Sequence, residues 1–339
     1  KWQGQCQDCD AWNTLSEFRL GPASAAKATA SRQGYAGAVG GEVQMLANVS
    51  IEALPRQSTG FDEFDRVLGG GLVPGSAVLL GGHPGAGKST LLLQVLCRLA
   101  AQCECLYATG EESLPQIAMR AKRLGLKADT LKCAETSLNR LLAQAATNKP
   151  KVLVVDSIQV LHSDDVSSAP GSVSQVRECA AALTRFAKET GTVLIMVGHV
   201  TKDGGLAGPK VLEHIIDCSI MLEGSSDSRY RTLRGSKNRF GAVNELGVFA
   251  MTELGLKEVK NPSAIFLNRG DVVTSGSTVM VVWEGTRPLL VEIQALVDSS
   301  GFGNPRRVAV GLEQNRLAML LAVLPVSYTH LRAHETKAN

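Results

Sequence analysis

The residues Gly82-His83-Pro84-Gly85-Ala86-Gly87-Lys88-Ser89 have the types and spacing of a phosphate-binding loop, G-x-x-x-x-G-K-[ST], and Thr90 follows. Glycines let such a backbone wrap a polyphosphate so that its N–H groups and the start of the next helix face anionic oxygens. Lys88 can then reach the β- and γ-phosphates, and Ser89 a Mg²⁺ ion. The chemistry implied is the binding of a nucleoside triphosphate. Further along, Lys151-Val152-Leu153-Val154-Val155-Asp156 is an apolar run that ends in an acid. In phosphate-loop NTPases a carboxylate at the end of such a strand orients Mg²⁺ and its waters, which is the role expected of Asp156.

Hydrolysis also needs a group that orients or deprotonates the attacking water. Leu106-Tyr107-Ala108-Thr109-Gly110-Glu111-Glu112-Ser113 puts two carboxylates at a strand end expected to neighbour the loop. Glu111 is the first choice and Glu112 the second, against the simpler reading of a solvated turn. His199, after an apolar strand, would sit near the γ-phosphate if that strand lies beside the one ending in Asp156; a turn residue is the competing reading. The segment Arg229-Tyr230-Arg231-Thr232-Leu233-Arg234-Gly235-Ser236-Lys237-Asn238-Arg239-Phe240-Gly241 carries five cations in eleven residues. It suits phosphates of a neighbouring subunit's nucleotide or of a nucleic-acid strand, although basic hairpins are commonly just solvated. Cys6 and Cys9 have the spacing of half a Zn²⁺ site, and a tetrahedral site needs two more ligands.

These groups need a scaffold, and the periodicity supplies one. Helices are expected at Gly60–Leu68, from Lys88, at Leu114–Leu124, Leu138–Ala146 and Val173–Thr190. Strands are expected at Ala77–Leu80, Cys105–Thr109, Val152–Val155 and Thr192–Val197. Short apolar runs alternating with helical periodicity predict an α/β fold, with a mainly parallel sheet flanked by helices. After about residue 215 the texture turns to short strands (Ser219–Leu222, Tyr230–Leu233, Val248–Met251, Val279–Trp283) that would finish the sheet edge as hairpins and then open a second domain from about Asn261. Residues 21–50, rich in Ala, Gly and Ser, read as a flexible linker after a small module at 1–20.

The chain has 339 residues, of which 44% are hydrophobic, enough to bury a full core. A net charge of +3 is too mild to identify a nucleic-acid binder, so anionic partners must be argued from local patches. No apolar run has the length of a spanning helix, about 18 residues. Eight cysteines, mostly in core-like segments, suit a reducing compartment rather than a disulfide framework. A cytoplasmic protein without membrane contact is expected.

Taken together, the motifs resemble the bacterial RadA (Sms) family of DNA-repair proteins, a branch of the RecA-like ATPases. The resemblance runs from Cys6 to about Leu324. It is carried by the Cys6/Cys9 pair with Trp12-Asn13-Thr14, the phosphate loop, Gly110-Glu111-Glu112-Ser113, Val155-Asp156-Ser157, Leu206–His214 and the pentapeptide Lys237-Asn238-Arg239-Phe240-Gly241. It implies a RecA-like phosphate-loop ATPase core over 51–260, preceded by a partial zinc ribbon. The start of a Lon-protease-like α+β domain, without protease activity, would follow over 261–324. ATP, Mg²⁺ and, in the intact protein, Zn²⁺ are the implied cofactors. The implied activity is a DNA-dependent ATPase that binds single-stranded and branched DNA, promotes branch migration with a RecA recombinase and assembles as a hexameric ring.

In that resemblance Lys237 and Arg239 act at a subunit interface, Lys202 and Lys210 line a DNA channel, and Arg306 and Arg307 contact phosphates. The chain starts without Met, and a further Cys pair is expected before Lys1. Residues 325–339 match nothing in the family and read as a non-native tail. The alternative is a nucleotide-gated scaffold of the KaiC-like group, which shares the loop and the paired glutamates and is not expected to carry the Lys237–Gly241 pentapeptide.

Overall fold

Every residue of Ala77–Gly82 is buried, which a strand can sustain only with both faces covered. The computed structural model describes residues 55–321 except 130, 135, 200–211, 225–227, 268–275, 297–307 and 312. In chain order its elements are α1 (Asp62–Leu68), β1 (Ala77–Gly82), α2 (Lys88–Leu99), β2 (Cys105–Thr109), α3 (Leu114–Arg123), β3 (Lys132–Ala134), α4 (Leu138–Asn148), β4 (Val152–Asp156), α5 (Val173–Thr190) and β5 (Val193–Val197). Then follow β6 (Cys218–Glu223), β7 (Tyr230–Asn238), β8 (Leu246–Thr252), β9 (Gly255–Glu258), α6 (Ser263–Phe266), β10 (Ser277–Glu284) and β11 (Arg287–Gln294).

Nine strands form one sheet in the order β3-β2-β4-β5-β1-β6-β7-β8-β9. The pairs from β3 through β6 are parallel, and β7, β8 and β9 finish the edge as an antiparallel meander. The two-residue period of the strands sorts side chains to two cores. Val78, Leu80, Val152, Val154 and Ile195 pack with Phe64 and Val67 of α1, Leu92 and Leu96 of α2, and Ile117 of α3. Ala77, Leu79, Leu153, Val155 and Met196 pack instead with Leu141 of α4 and Cys179 and Leu183 of α5. The result is the α/β/α layering expected from the alternation. No helix among the described residues is long and apolar enough to cross a membrane.

Several elements lie where periodicity puts them: β2 and α5 match to the residue, while α1 starts two residues late, at Asp62. Others carry no such signal. Lys132-Cys133-Ala134 is too short and mixed to show alternation, and β9 starts at a glycine. What holds β9 is Gln94 of α2, whose amide accepts from Leu256 N at 2.9 Å and donates to Leu256 O at 3.2 Å. A buried side-chain amide thus takes the place of the missing strand partner. Strand β7 runs on past Leu233 to Asn238, with a bulge opposite Ser219 and Ile220 that re-aims Lys237.

Of the described residues, those up to Leu267 together with Val281–Val291 form one compact unit, and the rest a smaller one. The hairpin β10–β11 is a separate two-stranded sheet. Residues 1–20, the linker 21–50 and the tail 325–339 lie outside the described residues.

Candidate active site

The phosphate loop joins β1 to α2, and its conformation depends on glycine at two points. Gly82 has φ +152°, and a Cβ there would come within 2.4 Å of the Leu222 carbonyl oxygen on the neighbouring strand β6. Gly87 has φ +105° and caps α2 without any side-chain hydrogen bond, so the first helical N–H groups are free of intrachain caps. That arrangement, with the helix dipole behind it, is an anion site.

Lys88 is buried, and its Nζ donates to the carbonyls of Gly82 at 2.7 Å and His83 at 3.0 Å. Burial pulls its pKa down, an effect offset in part by the charges of Asp156 and Glu111. An ammonium held this way lacks a counter-anion of full strength, and a bound phosphate would supply one. Ser89 is half-buried at the second position of α2.

Asp156 ends β4 and is buried; Tyr107 Oη donates to its Oδ2 at 2.7 Å, while Oδ1 is buried with no hydrogen-bond partner. The Tyr107 hydroxyl is held in its protonated form, mainly by burial and then by the Asp156 charge, so it stays a donor. One oriented carboxylate with a spare buried oxygen, close enough for its charge to act on Lys88, fits a hydrated Mg²⁺ ion, a hard cation that takes oxygen ligands.

Strand order explains how Glu111 reaches this place. β2 is not next to β1, since β4 and β5 lie between them, but all four strands run parallel and end on the same side. There His199, following β5, meets Glu111: Nε2 to Oε1 is 2.7 Å. His199 Nδ1 is buried without a partner. Burial works to raise the Glu111 pKa, but it is outweighed by the approach of the Ser157 hydroxyl, the hydrogen bond and charge of His199, and the charge of Lys88. The net shift is downward. Ser157 approaches without a well-formed hydrogen bond. Glu111 is therefore an ionised carboxylate at neutral pH. Glu112 faces elsewhere and pairs with Arg120 of α3.

The basic segment divides along β7. Arg234 pairs with Glu284 at 2.8 Å, and Arg229 lies over the Tyr230 ring. Arg231 is buried, contrary to the solvated or phosphate-facing hairpin expected from charge, because its position in the strand points inward. At the far end Lys237 Nζ donates to the carbonyls of Glu213 and of Ile216, the latter at 2.7 Å. Arg239 Nη1 bonds Asp217 Oδ1 at 3.0 Å and is about half exposed, at 52%. Asp217 is buried and also accepts from Ala77 N at 3.0 Å and Lys188 Nζ at 2.9 Å. Asn238 and Gly241 serve the turn itself: Asn238 Oδ1 accepts from Phe240 N at 2.8 Å, and a Cβ on Gly241 would come within 3.0 Å of Gly69 Cα.

By register Lys237 lies level with Ser219 and hence with Leu79, and Arg239 lies beyond it, level with Asp217. The phosphate loop begins at the opposite end of β1. Arg239 is thus separated from Gly82 by about five residues of strand, or ~16 Å, and by two strand spacings as well. That is more than an arginine side chain spans.

Cys6, Cys9, Lys202, Lys210, Arg306 and Arg307 lie outside the described residues. Among the described residues no group of three or more His, Cys, Asp or Glu is placed to hold a metal ion. Sequence reasoning missed Tyr107, Arg231 and Asp217. Only the apolar neighbours of Tyr107 and the alternation of β7 hinted at burial.

Comparison with known proteins bears on this geometry. The AAA domain family matches residues 56–205, the part that holds the phosphate loop, Glu111, Asp156 and His199. DNA repair protein RadA of Escherichia coli (strain K12) is 68% identical over 326 residues, covering 96% of this chain and 71% of that protein. DNA repair protein RadA of Bacillus subtilis (strain 168) is 47% identical over 329 residues, with the same coverage of each. Among solved structures, the KaiC-like protein PH0186 of Pyrococcus horikoshii OT3 superposes with a TM-score of 0.51 at 19% identity, covering 61% of this chain and 99% of that one, a likeness of fold. With relatives this similar over nearly its whole length, the chain belongs to the RadA family of DNA repair proteins.

Proposed function

We propose that the chain is a DNA-dependent ATPase of recombinational repair, which binds single-stranded and branched DNA and drives branch migration in concert with a RecA recombinase. The observation that carries this reading is the separation of two groups within one subunit. The phosphate loop lies at one end of β1, while Lys237 is level with its middle and Arg239 with its other end, each two strands away. Such a layout is useful when subunits meet head to tail, so that one subunit's cations approach its neighbour's nucleotide. A ring, hexameric in the family's expected form, closes that arrangement.

In this reading the loop N–H groups of Gly82–Thr90 and Lys88 Nζ hold the β- and γ-phosphates. Ser89 Oγ and Asp156 Oδ1 would hold Mg²⁺ and its waters, with Tyr107 fixing the carboxylate. The ion supplies charge neutralisation at the phosphate oxygens. Glu111, oriented by its hydrogen bond to His199, positions a water in line with the γ-phosphorus and accepts its proton as the O–P bond forms. ADP and inorganic phosphate leave. His199 links Glu111 to the chain that continues into 200–211, where Lys202 and Lys210 would meet DNA, so DNA contact and water positioning share one side chain.

A salt titration of single-stranded DNA binding tests the DNA half of this. Contacts from Lys202, Lys210, Arg306 and Arg307 to phosphates give a slope of log K against log salt of about −3. Negligible binding at every salt concentration would instead favour the nucleotide-gated scaffold.

A further inference from the structure

Arg231 belongs to a basic run, yet it is 8% exposed and sits against the phosphate loop. Its Nε donates to the carbonyl of Ala86, inside the loop, at 3.2 Å. Its Nη1 donates to the carbonyls of Tyr230, at 2.9 Å, and of Ser228. No carboxylate among the described residues forms an ion pair with it. Gly224 makes the room, because a Cβ there would come within 2.4 Å of Arg231 Cδ.

A buried guanidinium is costly unless it is paired, and carbonyl dipoles compensate it only in part. Arginine remains charged at any pH the fold tolerates. Arg231 touches the phosphate loop through the Ala86 carbonyl, so a polyphosphate held there would add to that compensation.

We propose that Arg231 is a positioning residue for polyphosphate: it engages the Ala86 carbonyl, which keeps that oxygen from facing the ligand, and it sets a fixed positive charge behind the loop. This rests on the reading of Gly82–Thr90 as a triphosphate site and is independent of DNA. Because the charge is buried, its pull on the ligand is screened less by salt than that of a surface cation. It also scales with the number of phosphates, whereas a purely structural role does not.

The test is equilibrium binding of ATP, ADP and AMP to the full chain, with Arg231→Gln and Arg231→Lys alongside it. Arg231→Gln is expected to weaken ATP by about tenfold, the range for loss of a charge-assisted contact, with a smaller loss for ADP and little for AMP. Arg231→Lys, which keeps the charge, is expected to recover most of the ATP affinity. An equal loss for all three nucleotides, an unchanged ATP affinity, or a lysine variant no better than glutamine would overturn the proposal. Should Arg231→Gln fail to fold, Gly224→Ala displaces the side chain with its charge retained. The expectation is again a larger loss for ATP than for AMP, and equal effects on the two would overturn it. A wild-type chain that binds none of the three overturns the triphosphate reading as well, whereas an absence of DNA binding leaves this result untouched.

Discussion

Glu111→Gln is expected to lower ATP turnover by about 10²- to 10⁴-fold, the usual contribution of a positioned general base. Nucleotide affinity should hold or improve. Glutamine keeps the shape and one acceptor for His199, but it cannot take a proton from water. Removing a negative charge that acts on Lys88 also favours a polyanion at the loop. The pattern that checks this is a fall in kcat with no rise in the Kd for ATP, measured on the same preparation. Glu112→Gln, which loosens only the pair with Arg120, should leave turnover nearly intact. Comparable losses in both variants would mean that the turn as a whole, rather than the Glu111 carboxylate, matters.

The second large effect concerns the pentapeptide. Replacing Lys237 and Arg239 by Ala is expected to reduce turnover by as much as about 10³- to 10⁵-fold if they act as cationic fingers, with ATP binding to the subunit's own loop retained. Their position at the far end of β7 makes the effect complementable. Lys88→Ala removes the loop's own cation, so that variant too should be inactive alone. Mixed with the Lys237→Ala/Arg239→Ala protein, it should regain activity, because one subunit then supplies the intact loop and its neighbour the intact cations. Activity of the mixture no higher than that of either variant would place both groups in one subunit's chemistry, against the strand register. In the free chain both cations are held in cis, Lys237 by the Glu213 and Ile216 carbonyls and Arg239 by Asp217. An assembly that engages them would therefore compete with contacts of ordinary strength.

The phosphate loop was legible from residue types alone because its chemistry is coded by spacing: glycines where the backbone must turn or be approached closely, and Lys88 at the helix start. β4 was legible because a strand buried on both faces must be uniformly apolar, and Asp156 breaks that run at its end. The Glu111–His199 contact was not legible as a pair. The two residues are 88 positions apart and meet only because β5 inserts between β1 and β4. Arg231 was misread for a different reason. In and beside β7 the cations at 229, 231, 234, 237 and 239 look alike in sequence, but strand alternation buries 231 with 233 and 235, leaves 230, 232 and 234 half-buried, and is then reset by the bulge before Lys237. Asp217 gave no signal at all. An acid before a strand reads as a turn, and its three partners come from β1, α5 and the residue after β7.

The central claim is that nucleotide hydrolysis at the loop answers to DNA. Steady-state ATP hydrolysis by the full chain, with and without circular single-stranded DNA at low salt, tests it most directly. A several-fold stimulation by DNA that disappears in Lys237→Ala is the expected result, and equal rates with and without DNA would contradict the account.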